Sequence, residues 1–102
     1  MVIIYTTFKD KEEAIKIGKL ILDKKLASCV NLWPIQSMYY WKDEFQNHLE
    51  VGMYIKTLEH HIAEIEAIIE GNHSYATPFI GAMDIRRLNR PYREWMTAVV
   101  KQ

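Results

Sequence analysis

Val2–Phe8 is a short run of β-branched and aromatic residues, and it predicts a first strand. Behind it the period changes. Ala14, Ile17, Gly18, Ile21 and Leu22 recur at i, i+3, i+4, i+7 and i+8, the stripe of one helical face. Asp10 precedes Glu13 by three positions, a carboxylate form of the capping box, and Lys24 and Lys25 are expected in the last turn, where they suit the helix dipole. From Leu26 to Trp41 the helical period is lost. After Lys42-Asp43, Phe45, Leu49, Val51, Met53 and Ile55 alternate with Gln46, His48, Glu50, Gly52 and Lys56. Two extended runs joined by a short polar link predict a long β-hairpin, with Pro34 marking a bulge or an edge position.

Thr57 is expected to cap a second helix whose buried stripe is Leu58, Ile62, Ile65 and Ile69, and Gly71-Asn72 supplies its stop. His73–Pro78 reads as a connection and Phe79–Ile85 as a fourth strand. Pro91 suits the first turn of a terminal helix carrying Tyr92, Trp95, Met96 and Val99. The order is β-α-β-β-α-β plus a C-terminal helix. That is an α+β, ferredoxin-like chain, read as a single domain over residues 1–102. Such an order by itself says nothing about chemistry.

The hairpin constrains the molecule further. Arms of about 15 residues reach roughly 45–50 Å when extended, whereas a compact domain of this length has a radius of gyration near 13 Å. The tip must therefore project. With Lys42-Asp43 as the turn, Tyr40 and Phe45 share one face, backed by Met38 and Leu49. Trp41, Tyr39 and Ile35 share the other with Gln46, His48 and Glu50. Left in water, a ribbon apolar on both faces is an exposed patch with open edges, and pairing with copies of itself in a closed homo-oligomer resolves it. Tyr39, Tyr40, Trp41 and Phe45 are the expected interface residues. The bland alternative is a shorter hairpin with a curled tip in a monomer.

Charge and composition narrow the function classes. Thirteen basic residues balance 13 acidic ones, so no domain-wide basic footprint exists, and neither nucleic acid nor a membrane is expected as a partner. Cys29 is the single cysteine, which excludes an intrachain disulfide and Cys-pair zinc motifs and suits a reducing compartment. The Val2–Tyr5 run is too short for a secretory h-region, and a cytoplasmic location is expected. No nucleophile elbow, P-loop, HExxH or dinucleotide fingerprint occurs, and Glu44 and Glu50 read as surface alternation rather than an acid/base pair. No enzyme is expected.

Leu26-Ala27-Ser28-Cys29-Val30-Asn31, then Pro34, Ser37, Tyr39-Tyr40-Trp41, and Glu50 through Ile55-Lys56-Thr57 carry a resemblance. So do Thr6-Thr7, His73-x-Tyr75-x-x-Pro78 and Tyr92-x-x-Trp95. Together these motifs resemble the CutA family of divalent-cation tolerance proteins nearly end to end. The resemblance implies a ferredoxin-like subunit in a tight homotrimer built through long hairpins, similar in architecture to the PII signalling proteins. It also implies a link to tolerance of copper and other divalent cations, with Cu(II) or a similar ion as a ligand and no required cofactor. Two departures stand out. Asp43 occupies a tip position where the family usually has Gly, and the segment 73–79 carries Ala76 and Phe79 where the family pattern has glutamates. Losing two oxygen donors implies weakened metal binding.

The candidate ligands are His73 and Cys29, each with a bland counterpart: a hydrogen-bonded cap for His73, a buried inert thiol for Cys29. The resemblance sets Lys56 near an inter-subunit cleft, with Tyr75 and Trp41 counted beside it. There Lys56 is either an anion contact in a PII-like small-molecule site or a snorkelling lysine. A scaffold trimer with no ligand of its own is the third reading. His60 and His61 are expected to be solvated, His48 to lie on the interface or the surface, and Arg86, Arg87, Arg90 and Arg93 to form a charged face.

Overall fold

Strand β1 (Val2–Phe8) buries every second residue: Val2, Ile4, Thr6 and Phe8 turn inward and Ile3, Tyr5 and Thr7 face the other way. A computed structural model, which describes all 102 residues, sets this strand in the middle of a four-stranded antiparallel sheet of order β2-β3-β1-β4. The other strands are β2 (Ala27–Trp41), β3 (Glu44–Thr57) and β4 (Ile80–Asp84); α1 (Lys11–Asp23), α2 (Ile62–Asn72) and α3 (Arg90–Val99) complete the chain. This is the expected ferredoxin-like order, in which β3 lies between β1 and β2. The fourth strand is one residue shorter at each end than Phe79–Ile85.

Ile17 and Ile21 of α1 and Ile65 and Ile69 of α2 pack with Ile4, Phe8, Met53 and Ile55 on one side of the sheet, and that is the core. Asp10 caps α1 as expected, its Oδ1 accepting the Glu13 N–H at 2.8 Å. The far end differs from expectation. Lys24 and Lys25 lie outside α1, with Lys25 in the left-handed region at φ 57°. Leu26 N–H donates to Ile21 O at 3.2 Å and Lys25 N–H to Leu22 O at 2.9 Å, the paired bonds of a Schellman ending.

Thr57 does not cap α2. It is the last residue of β3, fully buried, and its hydroxyl donates to Leu26 O at 2.6 Å. A single 3-10 turn, Glu59–His61, leads into α2 instead, with no side-chain cap. His61 is not solvated either: it is buried, with Nε2 bonded to the Lys101 carbonyl.

The hairpin keeps the expected register, with Trp41 opposite Glu44 and Tyr40 opposite Phe45. Its turn residues Lys42 and Asp43 have φ 50° and 66°, both left-handed, as a two-residue type I′ turn demands. Pro34 sits in the edge strand opposite Val51, and the irregularity in register falls between Ala27 and Cys29. The subunit measures 46 × 25 × 20 Å with a radius of gyration of 14.4 Å, larger than the roughly 13 Å of a compact chain this long. The ribbon projects. Met38, Tyr40, Phe45 and Leu49 are each more than half exposed on one of its faces. No helix is long and apolar enough to cross a membrane.

Candidate functional site

The face of the sheet opposite the helices is aromatic. Tyr5 stacks on Trp33 at 5.9 Å and meets Tyr54 and Phe79 at 5.8 Å each. Two glycines make this possible. An added Cβ at Gly52 would lie 2.9 Å from the Trp33 indole, and one at Gly81 would lie 2.8 Å from the Phe79 ring, so both rings rest where a side chain would otherwise stand.

At one end of this face a cavity of about 470 Å³ is lined by Thr7, Tyr39, Trp41, Glu50, Tyr75, Ala76, Thr77 and Phe79. Glu50 was expected at the surface because it alternates with apolar neighbours. It is instead buried, because its strand face is the aromatic one, and it lies opposite Ile35. The Tyr75 hydroxyl donates to Glu50 Oε2 in a short hydrogen bond. Burial, then the bond and charge of Glu50, push the Tyr75 phenol well above its ordinary value, so Tyr75 remains a donor.

His73 anchors the loop that carries Tyr75. Its side chain is fully buried, and its ring stacks on Phe8 at 4.9 Å and meets the Tyr75 ring, tilted by 44°, at 4.8 Å. Nε2 faces the Thr7 carbonyl at 2.7 Å, and Nδ1 accepts the Tyr75 N–H at 3.0 Å. A carbonyl only accepts and a backbone N–H only donates, so the ring is the Nε2–H tautomer with both nitrogens engaged. His73, the expected metal ligand, thus has both ring nitrogens engaged by backbone groups within the subunit. The Glu13 side chain does not close the expected capping box. Its carboxylate accepts from Ser74 N and Oγ at 3.1 Å each and pins the same loop.

Cys29 stands elsewhere. It pairs with Lys56, which pairs with Ile3, while His73 bonds to Thr7, four residues or about 13 Å along β1. The Cys29 thiol is half-buried and points to its neighbour's carbonyl, Val30 O, at 3.7 Å. The two candidate metal donors are thus not brought together, and no group of three His, Cys, Asp or Glu side chains is placed to hold an ion within one subunit.

Of the expected cleft residues, Trp41 and Tyr75 line the cavity and Lys56 does not. Its ammonium lies 5.5 Å from the Tyr92 ring centroid, beside the Ser28–Tyr92 hydroxyl pair at 3.0 Å. Tyr39 bonds to His48 Nε2 at 2.8 Å, and Tyr40 packs on Phe45 at 5.5 Å. The four expected interface residues are all exposed in the subunit. Arg86, Arg87, Arg90 and Arg93 are solvated as expected, with Arg90 paired to Glu94 at 2.8 Å. Sequence reasoning missed Glu50 and Phe79 as cavity residues. The available signal was a carboxylate alternating onto the strand face of Trp33, Tyr39 and Tyr54.

Residues 2–99 match the family described as CutA1 divalent ion tolerance protein. The divalent-cation tolerance protein CutA of Archaeoglobus fulgidus is 38% identical over 98 residues, 96% of each chain. A structure of the protein from that organism, described as a periplasmic divalent cation tolerance protein, superposes with a TM-score of 0.94 at 37% identity, covering 99% of this chain and all of that one. Pyrococcus horikoshii CutA1 superposes with a TM-score of 0.95 at 33% identity over the full length of both chains.

Proposed function

The chain belongs to the CutA1 divalent ion tolerance family, and from that premise we propose that it acts in the response to divalent cations, copper among them, as a homotrimer without a catalytic step. The observation that carries this reading is the ribbon: Met38, Tyr40, Phe45 and Leu49 stand 55–73% exposed on one face, with Tyr39 and Trp41 at 40–47% on the other. Burying those surfaces against identical copies supplies the hydrophobic area that a stable, closed assembly requires. Direct metal binding by one subunit is weak in this reading, because both nitrogens of His73 are spent and Cys29 has no second donor beside it. The ion is therefore what the protein responds to rather than a resident of the single subunit. A reducing, cytoplasmic location is supported by the single thiol.

Deleting the gene from its host and growing the cells in graded copper tests the reading. Sensitivity is expected to rise and wild-type protein to restore growth, while a Tyr40→Glu/Phe45→Glu variant that cannot assemble does not. Unchanged tolerance after deletion contradicts it. Calorimetric copper titration gives a second arm, with no tight saturable site expected. Stoichiometric uptake abolished by His73→Ala would return that residue to a ligand role.

A further inference from the structure

The uncovered face of the sheet carries two opposite charges that the subunit leaves unmatched. Glu50 is only 7% exposed; its Oε2 accepts from Tyr75, and no protein donor reaches Oε1. Oε1 is not among the sealed, unpartnered atoms, a class that Thr6 Oγ1 alone occupies, so it opens on the cavity. No Lys, Arg or His lines that cavity with it. Lys56 stands on the same face, because Glu50, Gly52, Tyr54 and Lys56 alternate along β3 with the core residues Met53 and Ile55. It is the only lysine or arginine in any of the four strands. Its ammonium has only the Tyr92 ring beside it, 5.5 Å away, and neither Lys56 nor Glu50 takes part in any ion pair of the subunit.

Six residues, about 20 Å of strand, separate the two, so they do not meet within one chain. Covering this face with another copy takes the remaining water from Glu50. A carboxylate buried without a counter-charge is strongly destabilising, so the covering surface must bring a cation. The sheet face of an identical chain brings one. We infer that the cavity of each subunit is completed by Lys56 of the partner subunit, whose ammonium pairs with Glu50 Oε1. The aromatic walls suit this occupant: Tyr39, Trp41 and Phe79 offer apolar surface to a four-carbon stem and ring faces to its charge. Tyr75 holds the carboxylate in place through Oε2. The inference rests on the homotrimer proposed above and goes beyond it by fixing which ends of the two faces meet. In a ring of three, each copy gives its Lys56 to one neighbour and receives that of the other, and all three carboxylates are matched.

Oxidative cross-linking of the full chain tests this. Cys29 lies opposite Lys56 in the β2–β3 pairing, so Cys29→Ser is introduced first. In that background Glu50→Cys/Lys56→Cys is treated with diamide and run on non-reducing gels. A disulfide needs Cα atoms within about 7 Å, so no bridge forms inside one chain. A covalent product of three chains is expected, whereas either single-cysteine variant stops at two chains or stays at one. A double-mutant cycle of Glu50→Gln and Lys56→Met gives a second arm that does not depend on cysteine geometry. Dissociation is read by light scattering over a dilution series. Each single change should raise the dissociation constant about tenfold or more, and the two together no more than either alone. A trimer that yields no three-chain product and shows additive losses overturns the pairing and leaves the assembly standing. A wild-type chain that stays monomeric overturns both.

Discussion

At the scale of single residues, the informative groups are polar ones sealed inside. Thr6 is fully buried and its Oγ1 has no hydrogen-bond partner. Val has the same shape without the hydroxyl, so Thr6→Val is expected to raise unfolding stability by about 1 kcal/mol in urea melts. A loss would show that the hydroxyl is satisfied in solution. Tyr75 gives a pH signature. Its phenol is raised above its ordinary value near 10, so the folded state holds this proton more tightly than the unfolded chain does. The contribution is fully present below pH 10 and is lost as the pH climbs beyond it. Urea midpoints of the wild type should therefore fall more steeply above pH 10 than those of Tyr75→Phe; parallel curves would contradict the assignment. Neither Thr6 nor Tyr75 was legible in this way beforehand. The same holds for His61 and Thr57, whose partners, Lys101 and Leu26, lie 40 and 31 residues away in the chain. Local pattern assigns Thr57 to a cap because threonine caps well, but the tertiary bond to Leu26 takes the hydroxyl instead.

At the scale of elements, periodicity was a sufficient guide wherever one face is buried. The 3.6-residue stripe in α1 recurs as a burial pattern, the alternation in β3 does so only around Met53 and Ile55, which flank the exposed Tyr54, and the hairpin register was recoverable from the turn position. The pattern misleads where both faces carry large side chains. Glu50 looked like a surface residue because alternation distinguishes two faces without saying which of them is dry. The turn itself is strained by its residues. Lys42 adopts φ 50°, a region that Asn tolerates far better. Lys42→Asn is expected to add about 0.5–1 kcal/mol to stability, although it removes the Lys42 contact 5.9 Å from the Trp41 ring. Thermal melts of the two proteins check this, and a lower midpoint would mean that the lysine–indole contact outweighs the backbone strain.

At the scale of the molecule, the subunit is a conventional two-layer core with a long aromatic ribbon attached. The core explains the stability of the fold, with α1 and α2 covering one side of the sheet. The ribbon and the uncovered sheet face explain little within one subunit, since Tyr40, Leu49 and Phe79 remain 73%, 68% and 59% exposed. Surfaces this apolar on a projecting hairpin are stable in water when copies of the chain cover them. Light scattering coupled to size exclusion at micromolar concentration addresses that directly. A monodisperse particle of about three times the 12.1 kDa chain mass is the predicted result, and a stable particle at 12.1 kDa would contradict it.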